Sequence, residues 1–69
     1  MPGYRLYFVD AAKHFTGSDE FIALHDHEAK EFAELRRQGH AAELWERGRC
    51  VFVFEGAPAA TNNPFRHAE

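Results

Sequence analysis

The period of apolar and polar positions changes along the 69 residues, and those changes divide the chain into elements. From Tyr4 to Asp10, Tyr4, Leu6 and Phe8 share one parity, while Tyr7 and Val9 share the other with Arg5. A period of two built from aromatic and branched residues predicts a strand, here apolar on both faces. Asp10-Ala-Ala-Lys-His14 breaks the pattern. Phe15, Phe21 and Ala23 then resume a single parity, but Gly17-Ser18-Asp19-Glu20 between them is turn-forming or bulge-forming material. The second strand is therefore predicted only around Glu20 to Leu24.

From Asp26 the period lengthens to about three and a half. Ala29, Phe32, Ala33 and Arg36 form one stripe with Leu35 at its flank, and Glu28, Lys30, Glu31, Glu34 and Arg37 fall elsewhere. That is the pattern of an amphipathic helix, over about Asp26 to Gln38. Acidic residues open it, Arg36 and Arg37 close it, and Gly39 follows, in keeping with the helix dipole and a glycine C-cap. Asp26 is the expected N-terminal cap.

Ala42 to Phe54 reads as two strands joined across Arg47-Gly48, with Gly48 expected to supply the positive φ of a tight hairpin turn. By simple alternation Cys50, Phe52 and Phe54 point one way and Val51 and Val53 the other. The predicted fold is α+β, ordered β-β-α-β-β, with a mainly antiparallel sheet and the helix packed on one face. Leu6, Phe8, Phe21, Ala29, Phe32, Ala33 and Leu44 are the expected core. Residues 1–56 make one domain and 57–69, which lack periodicity, a flexible tail.

Composition narrows the function. A 45% hydrophobic content with seven Phe, two Tyr and one Trp is that of a folding chain. The lone Cys50 excludes an intramolecular disulfide and a multi-cysteine zinc site. No apolar run approaches the roughly 18 residues that read as a membrane span. The N-terminus has no signal-peptide pattern, so a cytoplasmic setting without membrane contact is expected. The formal charge of −3 disfavours binding to phosphate backbones.

Three candidate chemistries remain. His25-Asp26-His27, with His14, His40 and His67 elsewhere, offers metal-ligand types. However, residues at i and i+2 do not share a helix face, and no His-Glu-x-x-His pair is present. The expectation is a helix start with exposed imidazoles, no cofactor, and adventitious or structural metal binding as an alternative. Glu28, Glu31 and Glu34 read as a solvated flank rather than paired catalytic carboxylates, and Cys50 as an inert strand residue, so no enzyme activity is expected. Arg36, Arg37, Arg47 and Arg49, with Trp45 or Tyr7 for stacking, are the contacts a nucleic-acid-binding, regulatory or antitoxin-like module would use.

The two-sided apolar strands exceed what one short helix covers, which points to a partner surface. The leading expectation is a noncatalytic module that homodimerises through sheet surface or a strand edge, and that also meets an unidentified protein partner. Tyr7, Trp45, Val51 and Val53 are the expected interface.

Between residues 4 and 54 the chain resembles a group of short, uncharacterised bacterial proteins common in alphaproteobacteria. The matching residues are Tyr4, Arg5, Leu6, Tyr7 and Phe8, then His14 and Phe21, then Asp26, Glu28 and Ala29. The hairpin adds Glu43, Leu44, Trp45, Arg49, Val51 and Phe54, in the spacing Glu-Leu-Trp-x-x-x-Arg-x-Val-x-x-Phe. The chain departs from that pattern at Ala12-Lys13, where a glycine-containing turn is more typical. The resemblance implies no transferable activity. The Asp-x-Glu-Ala helix start after a strand is also similar to small antitoxin-like and double-stranded-RNA-binding-like α+β folds, a likeness of fold alone.

Overall fold

The computed structural model describes residues 2–58. Its elements run β1 (Gly3–Val9), β2 (Phe15–Ile22), α1 (Asp26–Arg37), β3 (Ala42–Glu46) and β4 (Arg49–Phe54). The α+β fold and the order β-β-α-β-β are thus as the periodicity predicts. The four strands form one sheet in the order β2-β1-β3-β4, and every neighbouring pair is antiparallel. Because β2 and β3 both run against β1, α1 connects two strands of the same direction and carries the chain across β1.

Strand β2 starts well before the expected Glu20. Its polar stretch pairs with β1 in continuous register from Gly3↔Ile22 to Phe8↔Gly17, and the irregularity falls later, between Phe8 and Val9. An edge strand needs only one neighbour, so polar residues are tolerated there. Two of them are also anchored: Asp19 accepts from Arg36 at 2.7 Å and Glu20 forms an ion pair with Arg5. Leu24, expected in the strand, lies beyond it and is exposed.

The core lies between the sheet and α1. Leu6, Leu44, Ala29 and Ala33 are fully enclosed, joined by Tyr4, Phe21, Ala23, Ala42 and Phe54, with Phe8, Phe32 and Val51 packed against them. Small alanines on the inner stripe of α1 let it sit close to the sheet, and the rings of Phe21 and Phe32 meet edge to face at 5.9 Å. Tyr4 and Phe54 belong to this core in addition to the residues expected there.

The turns show where backbone geometry overrides residue preference. In the hairpin the left-handed residue is Arg47, with φ 58°, and Gly48 is not in that region, the reverse of expectation. The first turn uses Lys13 at φ 68° in place of a glycine. Asp10 holds that turn by accepting from the Ala12 and His14 amides at 2.9 and 2.8 Å, a local geometry that stabilises aspartate in turns. Helix α1 ends with Gln38 at φ 53° followed by Gly39 at φ 79°.

Backbone hydrogen bonding continues to Ala57, one residue past the expected domain boundary at residue 56. Ala57 donates to Gly39 O and accepts from the Ala41 amide, at 3.0 and 2.8 Å, so the structured unit includes it. The remainder of the expected tail, from residue 59, lies outside the described residues.

Candidate functional site

The helix decides which sheet surface is left bare. A helix is about 10 Å across, while four strands spaced about 4.8 Å apart span roughly twice that. Moreover, α1 lies on one face only. Tyr7, Trp45 and Val53 lie on the opposite face, in register through Tyr7↔Glu43 and Glu43↔Val53 and next to the pair Arg5↔Trp45. Phe15 joins them, its ring stacked on Tyr7 at a centroid distance of 4.5 Å, and Ile22 extends the set along β2. Phe15, Ile22 and Val53 are each at least half exposed.

Polar groups tie this face together between the apolar ones. Arg5 lies 5.9 Å over the Tyr7 ring, donates to Tyr7 Oη at 3.3 Å, and pairs with Glu20. Trp45 Nε1 donates to Glu43 at 3.1 Å. A concavity of ≈750 Å³ takes in Arg5, Tyr7, Glu20 and Trp45 of this face and Arg47 of the hairpin turn, together with Tyr4, Phe21 and Arg36 from the helix side. The charged groups lining it are the guanidiniums of Arg5, Arg36 and Arg47 and the carboxylate of Glu20, and of these Arg5 is paired with Glu20 and Arg36 with Asp19.

Val51 does not belong to this face. A β-bulge between Leu44 and Trp45 sets Phe52 opposite Leu44 and Cys50 opposite Trp45, so Val51 is the extra residue. A bulge breaks strict alternation. Val51 is consequently packed against the core, while Phe52 lies under Lys30 Nζ at 4.3 Å on the helix side.

The helix start is built differently from the expected one. His25, not Asp26, is the N-cap: it is extended, and its Nδ1 accepts from the Glu28 amide at 3.2 Å. Glu28 in return accepts from the Leu24 amide at 2.7 Å, a reciprocal arrangement like a capping box. Asp26, being the first helical residue, has its carboxylate free to reach the sheet. It accepts from Tyr4 Oη at 2.8 Å and from both terminal nitrogens of Arg49 at 2.9 and 3.1 Å.

This network has electrostatic consequences. Arg49, then the Tyr4 hydroxyl, hold the Asp26 carboxyl at about 2, below its ordinary 3.8. Burial, then the bond to Asp26, push the Tyr4 phenol up. The same carboxylates, Asp26 and then Glu46, push the Arg49 guanidinium up. Asp26 thus staples the helix N-terminus to the hairpin.

The histidines are dispersed. His25 and His27 stack with ring centroids 6.4 Å apart, His27 lies 3.3 Å from Glu31, and His25 is occupied by its capping bond. Among the described residues no three His, Cys, Asp or Glu side chains converge as a metal site would require. His67 lies outside the described residues.

The arginines that the sequence places near one another are split by the fold. Arg36 is bound to Asp19 and lies over Phe21, and Arg37 is bound to Glu34 and to the carbonyls of His40 and Glu55 at the helix C-terminus. Arg49 is held at the helix N-terminus, about 18 Å away along a 12-residue helix. Only Arg47 of the four projects freely, 3.8 Å from Glu46 at its nearest. Comparison with family models, curated proteins and solved structures found no match to this chain. Among the described residues no helix is long and apolar enough to cross a membrane.

Proposed function

We propose that the chain is a noncatalytic module that works by self-association, through the sheet surface or the strand edge that its single helix leaves uncovered. The observation that carries this reading is the placement of Tyr7, Phe15, Ile22, Trp45 and Val53 together on the helix-free face. Contiguous exposed apolar surface marks a contact site, and two-fold pairing is its commonest use. The nucleic-acid reading has less support, because Arg36, Arg37 and Arg49 are already committed to carboxylates within the chain.

Size sets the strength. Four strands about 4.8 Å apart and about 20 Å long give a face of roughly 400 Å². A stable interface covers about 800 Å² per partner. Association through this face alone is therefore weak, in the micromolar range or above. A reducing, cytoplasmic setting fits the same reading, since Cys50 is a free and exposed thiol.

Sedimentation velocity from low to high micromolar concentration tests the proposal. The expected result is a weight-average mass that rises from one chain toward two. A single monomeric species across the series rejects it.

A further inference from the structure

The two edges of the sheet are unequal. Along β2 the edge carries Gly17, Ser18, Asp19 and Glu20, the last two engaged by Arg36 and Arg5. Glycine and charge of this kind discourage strand addition. Along β4 the five residues from Cys50 to Phe54 carry no charge and no proline, and nothing in the described chain pairs with the outer side of the strand.

Beside that edge lies a groove of ≈690 Å³ between α1 and β4, with Leu35 on one side and Phe52 and Phe54 on the other. Leu35 is the most exposed large apolar residue described, at 77%. The rim carries both signs of charge, as Lys30, Glu31 and Glu34. Lys30 has no ion pair among the described residues and lies over the Phe52 ring.

We infer that β4 pairs antiparallel with β4 of a second copy about a two-fold axis at Val53, joining two four-stranded sheets into one of eight. The inference rests on the self-association reading and says where the contact is. A second copy fits this edge for three reasons. An apolar strand flanked by a mixed-charge helix is self-complementary under a two-fold, whereas a rim of one sign would repel its copy. An axis on Val53 sets Phe52 opposite Phe54 of the second copy, matching helix-side residue to helix-side residue as register requires. It also leaves the bulge at Val51 away from the centre of the new ladder.

The axis stands perpendicular to the sheet, so both helices lie on one face. The two grooves then open into a single trough floored by Phe52 and Phe54 of each copy, with the Leu35 side chains approaching over the joint. Since the helices run in opposite directions, Lys30 of one copy is offered the acidic Glu31 and Glu34 flank of the other. On the opposite side the two helix-free faces become continuous, roughly 800 Å² in all, the size one ordinary protein contact requires.

Three variants test this by sedimentation and cross-linking of the full chain. Leu35→Glu, at an exposed helix position, should keep the native circular dichroism and weaken dimerisation at least about tenfold, a loss of about 1.4 kcal/mol. Phe15→Ser on the helix-free face separates the two possible contacts: pairing at the β4 edge leaves the dimer intact in this variant, whereas contact through the face loses it. Val53→Cys in a Cys50→Ser background should oxidise to a covalent dimer, because directly paired residues on antiparallel strands lie about 4.5–5.5 Å apart, within disulfide reach. If Phe15→Ser abolishes the dimer and Leu35→Glu does not, association runs through the sheet face: the edge pairing is overturned and self-association stands. An intact dimer that Val53→Cys fails to cross-link likewise overturns the pairing at Val53. A wild-type chain that stays monomeric overturns both.

Discussion

Both faces of the sheet carry aromatic residues but use them differently. On the covered face Tyr4, Phe21 and Phe54 are enclosed with Leu6 and Leu44, and the polar groups around them, Asp26 and Arg49, join the helix to the strands. On the free face Tyr7, Phe15 and Trp45 are stacked or hydrogen-bonded to their neighbours yet still meet solvent. Aromatic content alone therefore does not locate the core. The helix does, and a helix of 12 residues has room for only one side.

The largest expected contrast comes from the fully enclosed pair Leu6 and Leu44, which face each other across β1 and β3. Leu44→Ala should destabilise the fold by about 2–5 kcal/mol, as buried leucine truncations do. Urea denaturation followed by far-ultraviolet circular dichroism measures it. A loss below about 1 kcal/mol would mean that the covered face is not the core and would dissolve the contrast.

Next comes the seal at one end of that face. Gly56 passes so close to the Gly39 carbonyl that an added methyl group would collide with it, and Arg37 Nη1 lies 3.0 Å from the same point. The obstacle is backbone, held by the reciprocal hydrogen bonds of Ala57 with Gly39 and Ala41. Gly56→Ala should cost about 1–3 kcal/mol, the range for overpacking. Gly48→Ala, with open space around its Cβ position, serves as the control in the same urea titration.

The joint between helix and sheet gives an intermediate and separable effect. His25→Ala removes the N-cap and should cost about 0.5–2 kcal/mol by the same measurement. Asp26→Asn acts through pH instead. Its folded-state value lies below the unfolded one, so the stability it confers is complete above about pH 4 and is lost as pH falls from there through about 2. Thermal melts across that range should show a steeper acid decline for the wild type than for Asp26→Asn. Parallel curves would mean that the carboxylate is not tied to Arg49 and Tyr4 in solution.

How much of this was legible beforehand depends on the range of the interaction. Local period found α1 almost to the residue, and found the helix-side positions Leu6, Ala29, Ala33 and Leu44, because each is set by neighbours within a turn or a strand. What escaped was set by distant partners. Asp26 reads as a cap from its position, but the Tyr4 hydroxyl and Arg49, 22 and 23 residues away, draw its carboxylate to the sheet and leave capping to His25. The polar half of β2 reads as a loop until Arg5 and Arg36 are seen to engage it. Val51 shares the parity of Val53, and only the bulge opposite Leu44 separates them. The shared face of Tyr7, Trp45 and Val53 was accessible to parity reasoning, whereas Phe15 was not assigned to that face, since its stacking on Tyr7 depends on the register shift at Val9.

The smallest expected effect on folding is the one that most sharpens the difference between faces. Phe15 is half exposed and packs mainly on Tyr7, so Phe15→Ser in dilute solution should change unfolding free energy by no more than about 0.5 kcal/mol, the usual range for surface positions. Its consequence should appear instead where the free face is used. Trp45 is the only tryptophan and lies on that face, so its fluorescence reports whether the face becomes covered as concentration rises. If edge-paired dimers leave the face bare, emission should stay red-shifted in wild type and Phe15→Ser alike, even as the mass doubles. A blue shift that tracks the mass in the wild type and disappears in Phe15→Ser would instead assign the contact to the face itself.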